Sequence, residues 1–113
     1  MSQKVAIITG ASSGLGLHTA KKLFATGNYK LILACRDEIK TKNAIDEISR
    51  FDPTKNVDSL KFLKLDLNNQ KSILSFVEEF KKDFDGLDVL INNAGIMRHP
   101  PQLQSVVLHI SLG

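Results

Sequence analysis

Residues Thr9-Gly10-Ala11-Ser12-Ser13-Gly14-Leu15-Gly16 decide the fold of this chain. They follow an apolar, β-branched run at residues 5–8 and precede a segment with helical periodicity, so the glycines occupy a strand-to-helix turn. We expect Gly10 to permit the turn, Gly14 to let backbone approach a bound group, and Gly16 to let the helix pack tightly on the sheet. The N–H groups and positive dipole end of the new helix favour an anion, and a diphosphate is the natural occupant.

Composition places the chain among soluble globular proteins. Its 113 residues make one small domain, below the usual size of a complete dinucleotide-binding enzyme. The net charge is +3 and the lysines are spread along the chain, which favours a solvated surface over a nucleic-acid face. Cys35 is the single cysteine, and no Cys/His spacing typical of zinc is present. With neither a signal peptide nor an apolar run of membrane-spanning length recognisable, we expect a cytoplasmic protein, an organelle being the alternative.

Strand and helix signals alternate along the chain. We predict strands at residues 4–9, 30–35, 60–65 and 87–92, and helices at 14–26, from Asp37 to Phe51, and from Asn68 or Asn69 to Phe84. Such alternation is typical of parallel strands joined by right-handed crossovers. The predicted fold is an α/β Rossmann-type parallel sheet of order 3-2-1-4 flanked by helices, with a topological switch point between strands 1 and 4. Residues 1–98 form this dinucleotide-binding unit, and residues 99–113 a divergent C-terminal tail.

Three motifs in order carry a resemblance to a known family. They are the glycine turn at residues 9–16, Asp66-Leu67 after strand 3, and Asn92-Asn93-Ala94-Gly95 after strand 4. Over residues 3–98 the chain resembles the short-chain dehydrogenase/reductase family, closest to its protochlorophyllide reductase-like and retinol dehydrogenase-like members. The resemblance implies hydride transfer between a nicotinamide cofactor and a carbonyl, alcohol or activated double bond. Membrane-anchored members of the second branch carry an apolar leader before strand 1, which we do not find here.

The end of strand 2 predicts which cofactor fits. NAD-binding domains commonly place a carboxylate there for the 2′-hydroxyl of the adenine ribose, whereas this chain has Cys35 followed by Arg36. A guanidinium binds a 2′-phosphate through paired, charge-assisted hydrogen bonds, so we predict NADP(H). Asp37 tempers this prediction unless it caps the next helix. The alternative is that Arg36 is an ordinary loop arginine.

The resemblance extends the predicted cofactor site to both other motifs. Asp66 would accept from the adenine amine and Leu67 would offer backbone, the alternative being that Asp66 only stabilises its loop. Ser12 and Ser13 would bind phosphate, stabilise the turn, or do both. Asn92 is expected to bond neighbouring backbone at the end of strand 4. The predicted cofactor-binding residues are Gly10, Ser12, Ser13, Gly14, Leu15, Gly16, Arg36, Asp66, Leu67, Asn93, Ala94 and Gly95.

No catalytic residue and no metal site is predicted. The family uses a tyrosine followed four residues later by lysine, but the only tyrosine here is Tyr29, with Leu33 four residues on. After Arg98 the family pattern is lost, and the tail fits either a helix or a strand. We expect an altered or truncated C-terminus, and a chain that self-associates or needs a partner over the strand 4 edge. The alternatives to an NADP(H)-dependent oxidoreductase are a nucleotide-binding regulatory module without catalysis and a non-binding interaction fragment.

Overall fold

The computed structural model describes residues 3–93. Within these residues four strands alternate with three α-helices, as the hydrophobic periodicity predicts, and a 3₁₀ turn that was not predicted precedes the third strand. In chain order the elements are β1 (Lys4–Thr9), α1 (Gly14–Thr26), β2 (Tyr29–Cys35), α2 (Glu38–Phe51), the 3₁₀ turn Val57–Ser59, β3 (Leu60–Lys64), α3 (Gln70–Asp83) and β4 (Val89–Ile91). The predicted site residues Ala94 and Gly95 and the predicted tail at residues 99–113 lie outside the described residues.

The strands form one parallel sheet in the order β3-β2-β1-β4, which confirms the predicted topology. The two central strands are apolar on both faces because helices cover both. On one face α1 and α2 pack over a cluster that includes Ile8, Leu31 and Leu33. On the other face a second cluster joins Ile7 and Ile32 of the sheet to the phenylalanines of α3. The sheet order therefore places the carboxyl ends of β1 and β4 side by side, at the switch point.

The helix ends form where the sequence predicts them. Asp37 begins α2 by accepting a hydrogen bond from the Lys40 N–H at 3.0 Å. Asn69, rather than Asn68, begins α3 and accepts from the N–H groups of two first-turn residues. Gly27 ends α1 in the left-handed conformation, with φ of 74°. These caps satisfy backbone groups that a helix end leaves unpaired.

Strand β4 is shorter than predicted and begins at Val89 rather than at Leu87. The reason is Asp88, whose backbone and side chain both bind Val5. The Asp88 N–H donates to the Val5 carbonyl at 2.9 Å, and the Val5 N–H donates to Asp88 Oδ2 at 2.8 Å. A carboxylate thus replaces the backbone carbonyl that a longer strand would supply.

Phe51 falls at helical spacing with the apolar residues Ala44, Ile45 and Ile48 of α2, a pattern that predicts burial, but it is 53% exposed. It is the last residue of that helix, and its ring lies 5.9 Å from the Lys21 ammonium on α1. The contact is a cation–π interaction at the surface. Of the other three residues, Ile45 and Ile48 pack in the cluster between α2 and the sheet, and Ala44 is buried.

Within residues 3–93, no helix combines the length and the apolar character that crossing a membrane requires. In the same part of the chain no three His, Cys, Asp or Glu side chains gather closely enough to hold a metal ion.

Candidate functional site

The glycine turn lies between β1 and α1, at the carboxyl edge of the sheet. Gly10 and Gly14 both adopt positive φ, at 64° and 57°, a backbone conformation that costs other residues about 1–2 kcal/mol. The Gly10 N–H donates to the Ala34 carbonyl at 3.2 Å, which ties the loop to β2. A Cβ atom built on Gly14 would have no neighbour within 4 Å, so this position opens onto space. The positive φ values agree with the predicted turn, and the open position at Gly14 leaves room for the close approach expected there.

Gly16 lies where α1 closely approaches the carboxyl ends of β1 and β4, as expected of a glycine that lets the helix pack tightly. A Cβ atom at Gly16 would lie 2.4 Å from the Gly10 carbonyl oxygen and 2.5 Å from Asn93 Nδ2. Both distances are shorter than van der Waals contact permits. The missing side chain therefore lets α1 approach its own loop and the residue after β4. The contacts that exclude a side chain thus come from the residues that follow two neighbouring strands, at the edge of the sheet.

The first turn of α1 presents donors toward the space at the switch point. The first helical hydrogen bond of α1 runs from the Leu17 N–H to the Ser13 carbonyl, so the N–H groups of Gly14, Leu15 and Gly16 precede the helical ladder. Ser13 occupies the capping position, but its hydroxyl makes no capping bond. The α1 terminus thus combines N–H groups that precede the helical ladder with a positive dipole end, a combination that favours an anion.

Thr9 joins the two strands that border the switch point, although no role is predicted for it from sequence. Its buried hydroxyl donates to Asn92 Oδ1 at 2.9 Å and accepts from the Asn93 N–H at 2.8 Å. Asn92 therefore has the structural role expected of it, but it binds a side chain rather than neighbouring backbone. Together with Gly16, this hydroxyl fixes Asn93 beside the glycine loop. The only sequence signal was a buried polar residue at the end of an apolar strand.

At the end of β2, three consecutive side chains lie in three different environments. Cys35 is buried in the core under α1 and α2, as a small apolar residue would be. Arg36 is exposed, and no ion pair within residues 3–93 involves it. Asp37 has one carboxylate oxygen bound to the first turn of α2. The guanidinium is thus available at the carboxyl edge while the adjacent carboxylate holds the helix.

Asp66 and Leu67 follow β3 at the same edge. Asp66 Oδ1 accepts from the Asn68 N–H at 3.0 Å, and the Asp66 N–H donates to Ser72 Oγ at 2.9 Å. These bonds show that Asp66 does stabilise its own loop, the alternative considered for it. Such a bond leaves a carboxylate with acceptor capacity for a further donor. Leu67 packs against the cluster under α3.

A separate open groove of about 350 Å³ lies between the outer side of α3 and β3. Asp66 is the one predicted site residue that borders it, and no residue of the glycine turn does. The residues that line the groove are Leu63, Lys64, Asp66, Asn69, Lys71, Ser72, Ser75, Phe76 and Glu79. The structure brings together the glycine turn and Asn93 at the switch point. It places Arg36 and Asp66, which follow β2 and β3, along the same edge of the sheet.

Comparisons with known proteins agree with this architecture. A family model described as short chain dehydrogenase matches residues 4–107. Retinol dehydrogenase 12 of Homo sapiens is 46% identical over 97 residues, which are 86% of this chain and 29% of that protein. The chloroplastic protochlorophyllide reductase of Chlamydomonas reinhardtii is 42% identical over 94 residues, 83% of this chain and 22% of that protein. The chain thus spans less than a third of the length of either relative.

Two solved structures share the fold. Menthone neomenthol reductase from Mentha piperita has a TM-score of 0.77 at 30% identity, covering 85% of this chain and 33% of that one. An alcohol dehydrogenase from the archaeon Thermococcus sibiricus, complexed with 5-hydroxy-NADP, has a TM-score of 0.65 at 28% identity, covering 79% of this chain and 36% of that one. Both branches of the predicted resemblance are confirmed, and the chain belongs to the short chain dehydrogenase family of oxidoreductases.

Proposed function

We propose that this chain is the cofactor-binding part of an NADP(H)-dependent oxidoreductase. The observation that carries the proposal is the α1 terminus, where the N–H groups of Gly14, Leu15 and Gly16 precede the helical ladder and where Gly14 and Leu15 are exposed. A diphosphate bridging two nucleosides satisfies such donors and meets the positive end of the helix dipole. The archaeal neighbour, whose structure holds 5-hydroxy-NADP, supports the same cofactor class.

Each part of the cofactor has matching residues along the carboxyl edge. The glycine turn from Gly10 to Gly16, with the hydroxyls of Ser12 and Ser13, would hold the diphosphate. Asp66 and Leu67 would border the adenine, and residues 93–95 would run beside the nicotinamide-side ribose. When bound, the nicotinamide supplies or accepts the hydride. The residues of this chain bind and orient the cofactor, and none of them is assigned a proton at a reacting atom.

Arg36 supports NADP(H) over NAD(H). A guanidinium forms bidentate, charge-assisted hydrogen bonds with a phosphate, whereas with a neutral ribose hydroxyl it forms weaker hydrogen bonds. A carboxylate in its place would repel the 2′-phosphate. Asp37, the one nearby acid in sequence, has a carboxylate oxygen committed to the Lys40 N–H. This bond directs the Asp37 carboxylate toward the first turn of α2, which supports an NADP(H) preference.

A second function, nucleotide binding without turnover, is favoured by the position of Tyr29. That residue is the only tyrosine of the chain and lies at the amino end of β2, opposite the glycine turn. It cannot reach a group bound at the carboxyl edge, because β2 spans seven residues at about 3.3 Å each. Hydride transfer therefore needs acid–base groups other than this tyrosine.

Titration with NADPH and NADH, followed by nicotinamide fluorescence, tests the proposal. We expect saturable NADPH binding that is tighter than NADH binding. Arg36→Ala should weaken NADPH binding about tenfold or more and NADH binding by less than twofold, since a hydrogen bond to a charged group contributes about 1.5–3 kcal/mol. The control is Arg50→Ala, an exposed arginine in the last turn of α2.

The outcomes separate the alternatives. Equal losses for NADPH and NADH in Arg36→Ala would remove the 2′-phosphate assignment. NADPH binding with no oxidation in the presence of a carbonyl substrate would select the non-catalytic module. No binding of either nucleotide would overturn the proposal and leave an interaction fragment.

A further inference from the structure

We propose that Lys64 is a second cation for the 2′-phosphate of the bound cofactor, acting beside Arg36 and strengthening the preference for NADP(H). The inference rests on the proposed function and names a further specificity-determining residue of the same site. No sequence motif indicates Lys64. Its assignment comes from strand register, from the face of the sheet on which it lies, and from the pairing of the charges around it.

The register of the sheet places Lys64 next to Cys35. These two residues are Cα partners at the carboxyl ends of β3 and β2, and Arg36 follows Cys35 directly. Neighbouring parallel strands lie about 4.8 Å apart. A lysine side chain, with its flexible four-carbon stem, spans more than that distance. The Lys64 ammonium can therefore reach the region that the Arg36 guanidinium serves.

The pleat of β3 puts Lys64 on the favourable face. Leu60 and Phe62 belong to the cluster that contains Leu33 and Cys35, under α1 and α2. Because side chains alternate along a strand, Lys64 shares that face with Cys35. The same face is covered by α2, which starts at Glu38, two residues after Arg36. An anion bound between the end of β2 and the first turn of α2 would thus lie on the Lys64 side of the sheet.

The charges near Lys64 leave it available. Lys61, on the same strand, is paired with Asp83 at 2.5 Å, and this hydrogen bond holds the pKa of Asp83 below its ordinary value. Lys64 is exposed, and the ion pairs found within residues 3–93 do not include it. As the last residue of β3, Lys64 also borders the groove between α3 and β3. Two acids line that groove: Asp66, which accepts from the Asn68 N–H, and Glu79, whose carboxylate lies 3.6 Å from the Lys82 ammonium. An exposed cation with no ion-pair partner among the described residues is suited to an external phosphate.

Calorimetric titration of the whole chain with adenosine 2′,5′-bisphosphate and with AMP measures what the 2′-phosphate contributes to binding, because the two nucleotides differ only in that group. Lys64→Gln should weaken binding of the bisphosphate about two- to fivefold, the range for a solvent-exposed charge pair, and leave AMP binding within error. Lys64→Arg should restore the bisphosphate affinity because it keeps the charge. The matched control is Lys22→Gln, which removes an exposed lysine from the second half of α1 and lowers the net charge equally. Far-UV circular dichroism checks that each variant folds.

Three results would overturn the assignment. Equal weakening of the bisphosphate and AMP would mean that Lys64 acts on the whole nucleotide. If Lys64→Gln and Lys22→Gln weakened bisphosphate binding equally, the change in affinity would come from the lower net charge and not from the position of Lys64. No effect on binding, with a raised tendency to aggregate, would mean that Lys64 only protects the β3 edge. If the unsubstituted chain bound neither nucleotide, the proposed function itself would fall, and this assignment with it.

Discussion

Gly16 is the residue at which the glycine turn, α1 and the end of β4 meet. Because Gly16 has no side chain, the Gly10 carbonyl and the Asn93 side-chain amide can lie close to its Cα, in space that a Cβ atom would otherwise fill. Gly10 and Gly14 serve the turn differently, because their requirement is a positive φ rather than space. One motif therefore contains two kinds of glycine, and substitutions should distinguish them.

Gly16→Ala should lower the free energy of unfolding by about 1–3 kcal/mol, since a backbone carbonyl must move to admit the methyl group. Nucleotide binding should fall as well, because the same movement displaces the loop. Gly14→Ala meets no atom, so only the left-handed backbone strain of about 1–2 kcal/mol should appear. Urea unfolding followed by circular dichroism measures each change.

Gly86→Ala is the matched control, since a methyl group there has no neighbour within 4 Å and the backbone does not need positive φ. It should change the unfolding free energy by less than about 0.5 kcal/mol. Should Gly16→Ala prove as stable as Gly86→Ala, the close approach of the loop to α1 and Asn93 would be refuted.

At the scale of elements, α3 is coupled to the candidate site through its first turn. Asn69 caps α3 with its side chain, and its own N–H donates to the Asp66 carbonyl at 3.0 Å. Ser72, one turn into the helix, accepts from the Asp66 N–H. The loop that carries Asp66 is thus held by the start of this helix.

Asn69→Ala should lower the free energy of unfolding by about 1 kcal/mol, the usual cost of losing a capping side chain. Because the cap also orders the Asp66 loop, the substitution should accelerate amide hydrogen exchange more at residues 66–72 than in the rest of the chain. Asn43→Ala, at an exposed position inside α2, should be neutral or slightly stabilising. Uniform exchange in Asn69→Ala would show that cap and loop are independent.

Sequence periodicity predicted the order and type of these elements because the chain alternates apolar strands with amphipathic helices that cover both faces of a parallel sheet. The sequence also indicated a cap at Asp37 and another at Asn68 or Asn69, since a capping side chain acts within one helical turn. The roles of Asp88 and Thr9 were not indicated, because both act across strands more than 80 residues apart. Tight packing at Gly16 was predicted, but its neighbour Asn93 was not, since that residue is distant in sequence.

At the scale of the whole molecule, the sheet is protected unevenly. The outer strand β3 carries Lys61 and Lys64, charged residues that discourage edge-to-edge pairing. Within residues 3–93, β4 pairs only with β1, and its three residues are half-buried and apolar. The edge of β4 is thus the less protected of the two.

We expect the chain to self-associate through the β4 side. Sedimentation velocity over a range of concentrations should show a weight-average mass that rises with concentration. Leu90→Lys, on that strand, should reduce the rise, whereas Leu74→Lys, an exposed position on α3, should leave it unchanged. A monodisperse monomer with a sharp two-state melt would contradict this expectation.

Amide ¹H–¹⁵N spectra of the chain, recorded during titration with NADPH, test the central claim most directly. The claim is that the backbone donors at the start of α1 hold the cofactor diphosphate. It predicts that the largest shifts fall on the N–H groups of Gly14, Leu15 and Gly16, with smaller shifts at Arg36 and Asn93. Binding that leaves these amides unmoved and shifts residues around the α3 groove instead would contradict it.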